Sequence, residues 1–197
     1  MTTANKITLA RLAILPAFLC CIYCYTPDNK TMRVAALCIY LIAALSDLLD
    51  GWWARQFHQI SRLGKRLDPL ADKLLVNLGF IFVAANPHFN PGIPLWAPPV
   101  FLARDVYIAL GAYFINERYG PFKVAPGLSG KTTTALQMAT MIAVLAALPI
   151  VDALLIGALA ATCWSTVDYY IKGYTQVQEK KQRRCHQQNE KNCPPSP

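Results

Sequence analysis

Between residues 47 and 72 the chain reads Asp47-x2-Asp50-Gly51-x2-Ala54-Arg55-x8-Gly64-x3-Asp68-x3-Asp72. Carboxylates beside long apolar runs are costly unless a cation compensates them. Asp47 and Asp50 are three residues apart and Asp68 and Asp72 four apart, so on helices each pair projects from one face. Converging carboxylates repel one another unless a cation lies between them. Oxygen donors with positions left over for phosphate suit Mg2+ or Mn2+. Two such ions, about 3.5–4 Å apart, can clamp a pyrophosphate for in-line displacement. Arg55 can fork onto phosphate oxygens. Gly51 and Gly64 permit close approach because they lack a β-carbon, and Ala54 keeps the same face shallow. A helix pair with small packing residues explains the Gly and Ala positions equally well. It gives no reason for four acids.

The elements that carry these residues are strongly apolar. Of 197 residues, 54% are hydrophobic and 15% charged, below the roughly 25% charged of an ordinary soluble domain. A membrane helix needs ~20 mostly apolar residues. About six blocks approach that length, near Ile7–Tyr25, Met32–Trp53, Leu67–Ala85, Leu95–Phe114, Thr133–Ile150 and Ala153–Ile171. The expected fold is an all-α integral membrane protein, a bundle of six transmembrane helices. The short connection between the second and third blocks returns the chain antiparallel and gathers the four acids at one end.

Charge gives that end a side. The net charge is +8. Lys6 and Arg11 flank the first block, and Arg55, Arg62, Lys65 and Arg66 lie between the second and third. Arg118, Lys123 and Lys131 separate the fourth from the fifth, and Lys172, Lys180, Lys181, Arg183, Arg184 and Lys191 follow the last. The other connections are poorer, with Lys30 and Arg33 in the first. Positive residues favour the cytoplasmic side, so both termini and the 55–66 loop are expected there. The basic rim suits anionic lipid and phosphorylated substrates. The charges follow this topology and no nucleic-acid-binding module accompanies them, so no nucleic-acid partner is expected. Residues 1–173 form the expected membrane domain. The Gln-, Lys- and Arg-rich stretch at 174–197 reads as a flexible basic cytoplasmic tail.

The remaining conspicuous residues have plainer readings. Cys20, Cys21, Cys24, Cys38 and Cys163 lie in apolar blocks, where a free thiol packs as a small hydrophobe. Thr8 and Arg11 anchor the first helix or face headgroups. His58 can touch substrate or simply occupy a loop. Trp52, Trp53, Trp96 and Trp164 suit membrane interfaces. Asp168 has no assigned role beyond pairing with a base or capping local polarity.

The spacing at 47–72 resembles the signature of the CDP-alcohol phosphotransferase family at every defined position. These are integral membrane enzymes of phospholipid synthesis. The resemblance implies a metal and catalytic centre of Asp47, Asp50, Asp68 and Asp72. Asp72 is the implied base for the acceptor hydroxyl, and Gly51, Ala54, Arg55 and Gly64 are implied in holding the cytidine diphosphate part of the donor. It further implies two divalent ions, Mg2+ or Mn2+, CDP-diacylglycerol and a polar alcohol as substrates, membrane lipids as surroundings, and a homodimer. The expected location is a bacterial inner membrane, with the active site facing the cytoplasm.

Leu70-Ala71-Asp72-Lys73-Leu74-Leu75 and the run Gly130 to Met138 resemble the branch that makes phosphatidylglycerophosphate from glycerol-3-phosphate. CMP-forming cardiolipin synthases, with phosphatidylglycerol as acceptor, share these cues. Ala103-Arg104-Asp105-Val106 departs slightly, since the first branch more often carries Arg-Glu. Arg104 lies inside an apolar block, where an unpaired charge is expensive. It faces an acceptor phosphate or pairs with an acid on another helix, and Asp105 is expected to point elsewhere. Arg118 and Lys131 are candidate partners in the same phosphate pocket, against the alternative of snorkelling interfacial anchors. A metal or cation transporter is the rival class. It would spread acids along a path to both faces, whereas these cluster on one side.

Overall fold

The computed structural model describes the backbone of residues 3–57, 64–119 and 128–192, and the side chains of residues 13–46, 73–118, 128–178 and 182. Among the described residues the fold is all-α: α1 (Thr3–Tyr23), α2 (Lys30–Phe57), α3 (Gly64–Ala85), α4 (Ala97–Tyr119), α5 (Leu128–Leu145) and α6 (Val151–Asn192). Each follows one of the six apolar blocks. Two segments, Ala97–Arg118 of α4 and Val151–Gln178 of α6, are long and apolar enough to cross a membrane among the described residues.

α1 packs on α2 and α3, α5 lies along α6, and α6 also contacts α4. α5 closes the bundle against α2 and α3, while α3 meets α4. Phe18, Tyr40, Phe80, Phe101, Met141 and Val144 are fully buried between these helices. Phe18 and Tyr40 bring α1 against α2 with ring centroids 5.7 Å apart, and Phe80 and Phe101 join α3 to α4 at 5.1 Å. Gly79 permits the close approach of α3. A β-carbon there would lie 3.0 Å from both Met141 Cε and Phe18 Cε1.

One end of the bundle is organised by a cation. Arg33 sits in the first turns of α2, not in a loop, and is only 8% exposed. Its Nε donates to the Leu145 carbonyl at 3.1 Å, Nη2 donates to the Val144 carbonyl, and Nη1 donates to the Asn90 carbonyl at 3.0 Å. Nη1 also donates to the Tyr25 hydroxyl at 3.3 Å, and the guanidinium stacks near the Tyr25 and Phe89 rings. One side chain thereby ties the α1–α2 and α3–α4 connections to the end of α5. The last carbonyls of a helix carry partial negative charge and lack intrahelical partners, so a buried guanidinium there is well compensated.

The same helix end turns through a left-handed residue. Ala147 has φ of 57°. Leu148 N–H donates to the Ala143 carbonyl at 2.9 Å and Ala147 N–H to the Val144 carbonyl at 3.1 Å, the bond pair of a Schellman cap. The apolar block runs on to Ile150, but the helix stops at Leu145 because this cap and Pro149 end it.

At the other extreme, α6 does not end where the composition changes at Gly173. It continues as helix through Asn192. Gln, Lys, Glu and Arg are good helix formers and no proline occurs before Pro194.

Arg33→Met is expected to strand the Leu145 and Asn90 carbonyls and to cost on the order of 3 kcal/mol, seen as a lower midpoint of thermal unfolding in detergent. Gly79→Leu is expected to destabilise by about 1–3 kcal/mol through overpacking. Ala147→Gly is expected to raise the midpoint, because only the alanine pays for a left-handed backbone.

Candidate active site

The four signature acids fall on two helices. Asp47 and Asp50 lie in the last turns of α2, and Asp68 and Asp72 in the first turns of α3. Gly51, Ala54 and Arg55 follow on α2, and Gly64 is the first residue of α3. The side chains of all these positions lie outside the described residues, as does His58. The helical backbone bears on their spacing: three residues on α2 and four on α3 keep each pair on one helix face.

Immediately after Asp72 the described side chains begin, and they form a charged network. Lys73 of α3 donates to Asp105 Oδ1 at 2.8 Å, and Arg104 Nη1 of α4 donates to the same oxygen at 2.8 Å. Asn77, one turn beyond Lys73 on the same face of α3, donates to Asp105 Oδ2 at 3.2 Å. Arg104 Nη2 donates to the Ser165 hydroxyl of α6 at 2.5 Å, and its guanidinium carbon lies 5.9 Å from the centre of the Tyr169 ring. Arg104 is 6% exposed, and its Nε finds no hydrogen-bond partner among the described residues. The pairing with Asp105 corrects the sequence expectation that Asp105 points elsewhere. Adjacent residues do leave a helix in different directions, but an Arg stem is long enough to bend its head back onto its neighbour.

A second pair lies nearby on α6. Asp168 accepts from Lys172 Nζ at 2.6 Å, one helical turn on, and from the Ser129 hydroxyl at the start of α5. Asp168 thus acquires both a base and a hydroxyl partner. Gly130 makes this junction possible: a β-carbon there would lie 3.3 Å from the Tyr169 hydroxyl and 3.6 Å from Arg104 Nη2. The hydroxyls of the following threonines are turned inward. Thr133, fully buried, shares its one hydroxyl proton between the Ser129 carbonyl at 2.8 Å and the Ala161 carbonyl of α6 at 2.9 Å. Thr134 donates back to the Gly130 carbonyl at 3.1 Å. The bond from Thr133 to Ala161 joins α5 to α6, while the bond from Thr134 stays within α5 as a back-bonded hydroxyl.

Part of this network borders a cavity of about 940 Å³ between α4 and α6, a volume in the range of small-molecule sites, although Arg104 itself does not line it. Lys73, Asp105, Tyr169 and Lys172 contribute its polar wall, while Ile108, Phe114 and Ile115 contribute apolar surface. Arg118, in the last turn of α4, and Lys131, in the first turn of α5, are exposed and do not line this cavity. Arg118 is placed to favour the carbonyl end of its helix.

Sequence reasoning found Arg104 but passed over Lys73, Asn77, Ser165 and Lys172. Their signal was present as spacing. Lys73 and Asn77 are four residues apart, as are Asp168 and Lys172, so each pair shares a helix face.

A model of the CDP-alcohol phosphatidyltransferase family matches residues 1–164. Three curated relatives carry the name CDP-diacylglycerol--glycerol-3-phosphate 3-phosphatidyltransferase. The one from Aquifex aeolicus is 30% identical over 188 residues, covering 90% of this chain and 98% of the relative. That from Bacillus subtilis is 33% identical over 152 residues, covering 72% and 75%. That from Escherichia coli K12 is 31% identical over 135 residues, covering 68% and 71%. The chain belongs to the CDP-alcohol phosphatidyltransferase family, whose members are membrane proteins.

Gly130→Val is expected to push Tyr169 and Arg104 from their places with little effect on helix formation elsewhere. It should lower transferase activity by at least about tenfold while the protein still elutes as a folded species from size exclusion in detergent.

Proposed function

We propose that this chain transfers a phosphatidyl group from CDP-diacylglycerol to glycerol-3-phosphate, giving phosphatidylglycerophosphate and CMP. The observation that carries the reading is the complete acidic signature at 47–72, within a chain that aligns over 90% of its length with a relative named for that reaction. The Arg104–Lys73 network supports the acceptor: glycerol-3-phosphate brings a phosphate monoester that needs cationic contacts.

In this reading the acceptor hydroxyl oxygen attacks the phosphatidyl phosphorus. The P–O bond to the cytidylyl phosphate breaks, CMP departs with that oxygen, and Asp72 receives the hydroxyl proton. Asp47, Asp50, Asp68 and Asp72 offer only hard oxygen donors, a set that fits two Mg2+ or Mn2+ ions. When bound, such ions neutralise the charge of the pyrophosphate and of the departing CMP. Arg55 adds a fixed guanidinium to the donor phosphates, and Gly51, Ala54 and Gly64 leave space for the cytidine diphosphate. Arg104, Arg118 and Lys131 are the acceptor-side cations. Arg104 is already oriented by Asp105 and Ser165.

The architecture we favour has all six helices spanning the membrane, with both termini and the acidic end cytoplasmic, as the charge distribution suggests. Residues 1–173 form its membrane domain, and the basic 174–197 segment lies in the cytoplasm. The location is a bacterial inner membrane, and the working form is a homodimer.

Purified protein given CDP-diacylglycerol and Mg2+ or Mn2+ is expected to release CMP when glycerol-3-phosphate is added. Release with phosphatidylglycerol alone would assign the chain to cardiolipin synthesis instead. No release with either acceptor, together with metal flux in proteoliposomes, would favour a transporter. Chelation should abolish release, and added Mg2+ or Mn2+ should restore it. Asp72→Asn is expected to retain CDP-diacylglycerol binding while turnover falls at least ~100-fold. Normal turnover in that variant would remove Asp72 as the base.

A further inference from the structure

Asp105 touches none of the reacting atoms in the proposed transfer, yet three donors from two helices close on its carboxylate. Lys73 and Arg104 share Oδ1, each at 2.8 Å, and Asn77 holds Oδ2 at 3.2 Å. We propose that Asp105 is a positioning residue for the acceptor's phosphate. It clamps Lys73, in the wall of the α4–α6 cavity, against Arg104, which is buried behind that wall. The proposal rests on the acceptor-side reading of Arg104 given above.

Two cations and one carboxylate leave a single positive charge in excess. Without Asp105, the ammonium and guanidinium would repel each other at this separation, and the exposed Lys73 would swing away. Its side chain is 42% exposed, against 11% for Asp105 and 6% for Arg104. Arg104 therefore forms the fixed back of the clamp, held by Ser165 behind it. Lys73 forms the face open to the cavity. A long Lys stem loses rotamer freedom when it binds a ligand, and a stem already tethered to Asp105 has lost much of it beforehand. The same tether links α3 to α4 one residue from Asp72. The phosphate-binding cations and the proposed base are thereby held in a common frame.

The test is steady-state kinetics of the purified full-length chain in detergent, with each substrate varied in turn. Asp105→Asn is expected to raise KM for glycerol-3-phosphate about tenfold or more, while KM for CDP-diacylglycerol moves less than about twofold. Asp105→Glu, which restores the carboxylate, should bring the glycerol-3-phosphate KM back to within about threefold of the original. Lys73→Gln should repeat the selective rise at an unchanged thermal midpoint. Because that side chain is partly exposed, the variant keeps the test open if Asp105→Asn does not fold. Equal changes in both KM values, no change with Lys73→Gln, or no rescue by Asp105→Glu would each overturn the positioning role. Arg104→Lys separates this proposal from its premise. An unchanged glycerol-3-phosphate KM there removes the acceptor reading of Arg104 itself. A raised KM there, beside unchanged values for Asp105→Asn and Lys73→Gln, sinks only the role of Asp105.

Discussion

A guanidinium buried among apolar helices must be answered by the protein itself, and around Arg104 that requirement organises three helices at once. Asp105 supplies the opposite charge from the same helix, Ser165 accepts from α6, and Lys73 and Asn77 bring α3 to the shared carboxylate. Breaking a buried pair by removing one partner leaves an uncompensated charge, at a cost of about 3–5 kcal/mol in soluble proteins. The network thus fixes how α3, α4 and α6 meet, and with them the wall of the cavity. Gly130 borders the same network, since a β-carbon there would sit tightly against the Tyr169 hydroxyl and in contact with Arg104 Nη2.

The opposite end of α2 meets a similar requirement differently. Among the described residues no carboxylate bonds Arg33; backbone carbonyls at the end of α5 and in the α3–α4 connection receive it, with Tyr25 and Phe89 packed beside the guanidinium. A cation among carbonyls and rings serves as a fastener. A cation that shares a carboxylate beside a cavity has a face left for a ligand. Both arginines are buried, but their surroundings differ: carbonyls and rings around Arg33, a shared carboxylate and a hydroxyl around Arg104.

Much of this was legible in the residues. The six apolar blocks marked the six helices, because hydrophobic length is a local property of the chain. Their ends were less legible. Helix α5 stops in a cap whose neighbouring carbonyls are engaged by Arg33 from α2, and α6 continues past Gly173 because its polar residues still favour helix. The acids at 47–72 stood out by type and spacing alone. Lys73 did not, because a lysine after an aspartate is unremarkable until Asp105 is found opposite it. Asp105 itself was read as turned away, since spacing along a helix describes where side chains start and not where a long one ends.

The sequence by itself determined the helical class, the family and the identity of the signature acids, all of which depend on residue type and order along the chain. Only the tertiary structure decided which distant groups meet each charge: Arg104 and Lys73 on the Asp105 carboxylate, Ser129 on Asp168, and Arg33 on helix-end carbonyls. The physical reason is that a buried charge is compensated by whatever lies within about 3 Å of it. In a bundle, those neighbours come from helices far apart in sequence as often as from the next residue.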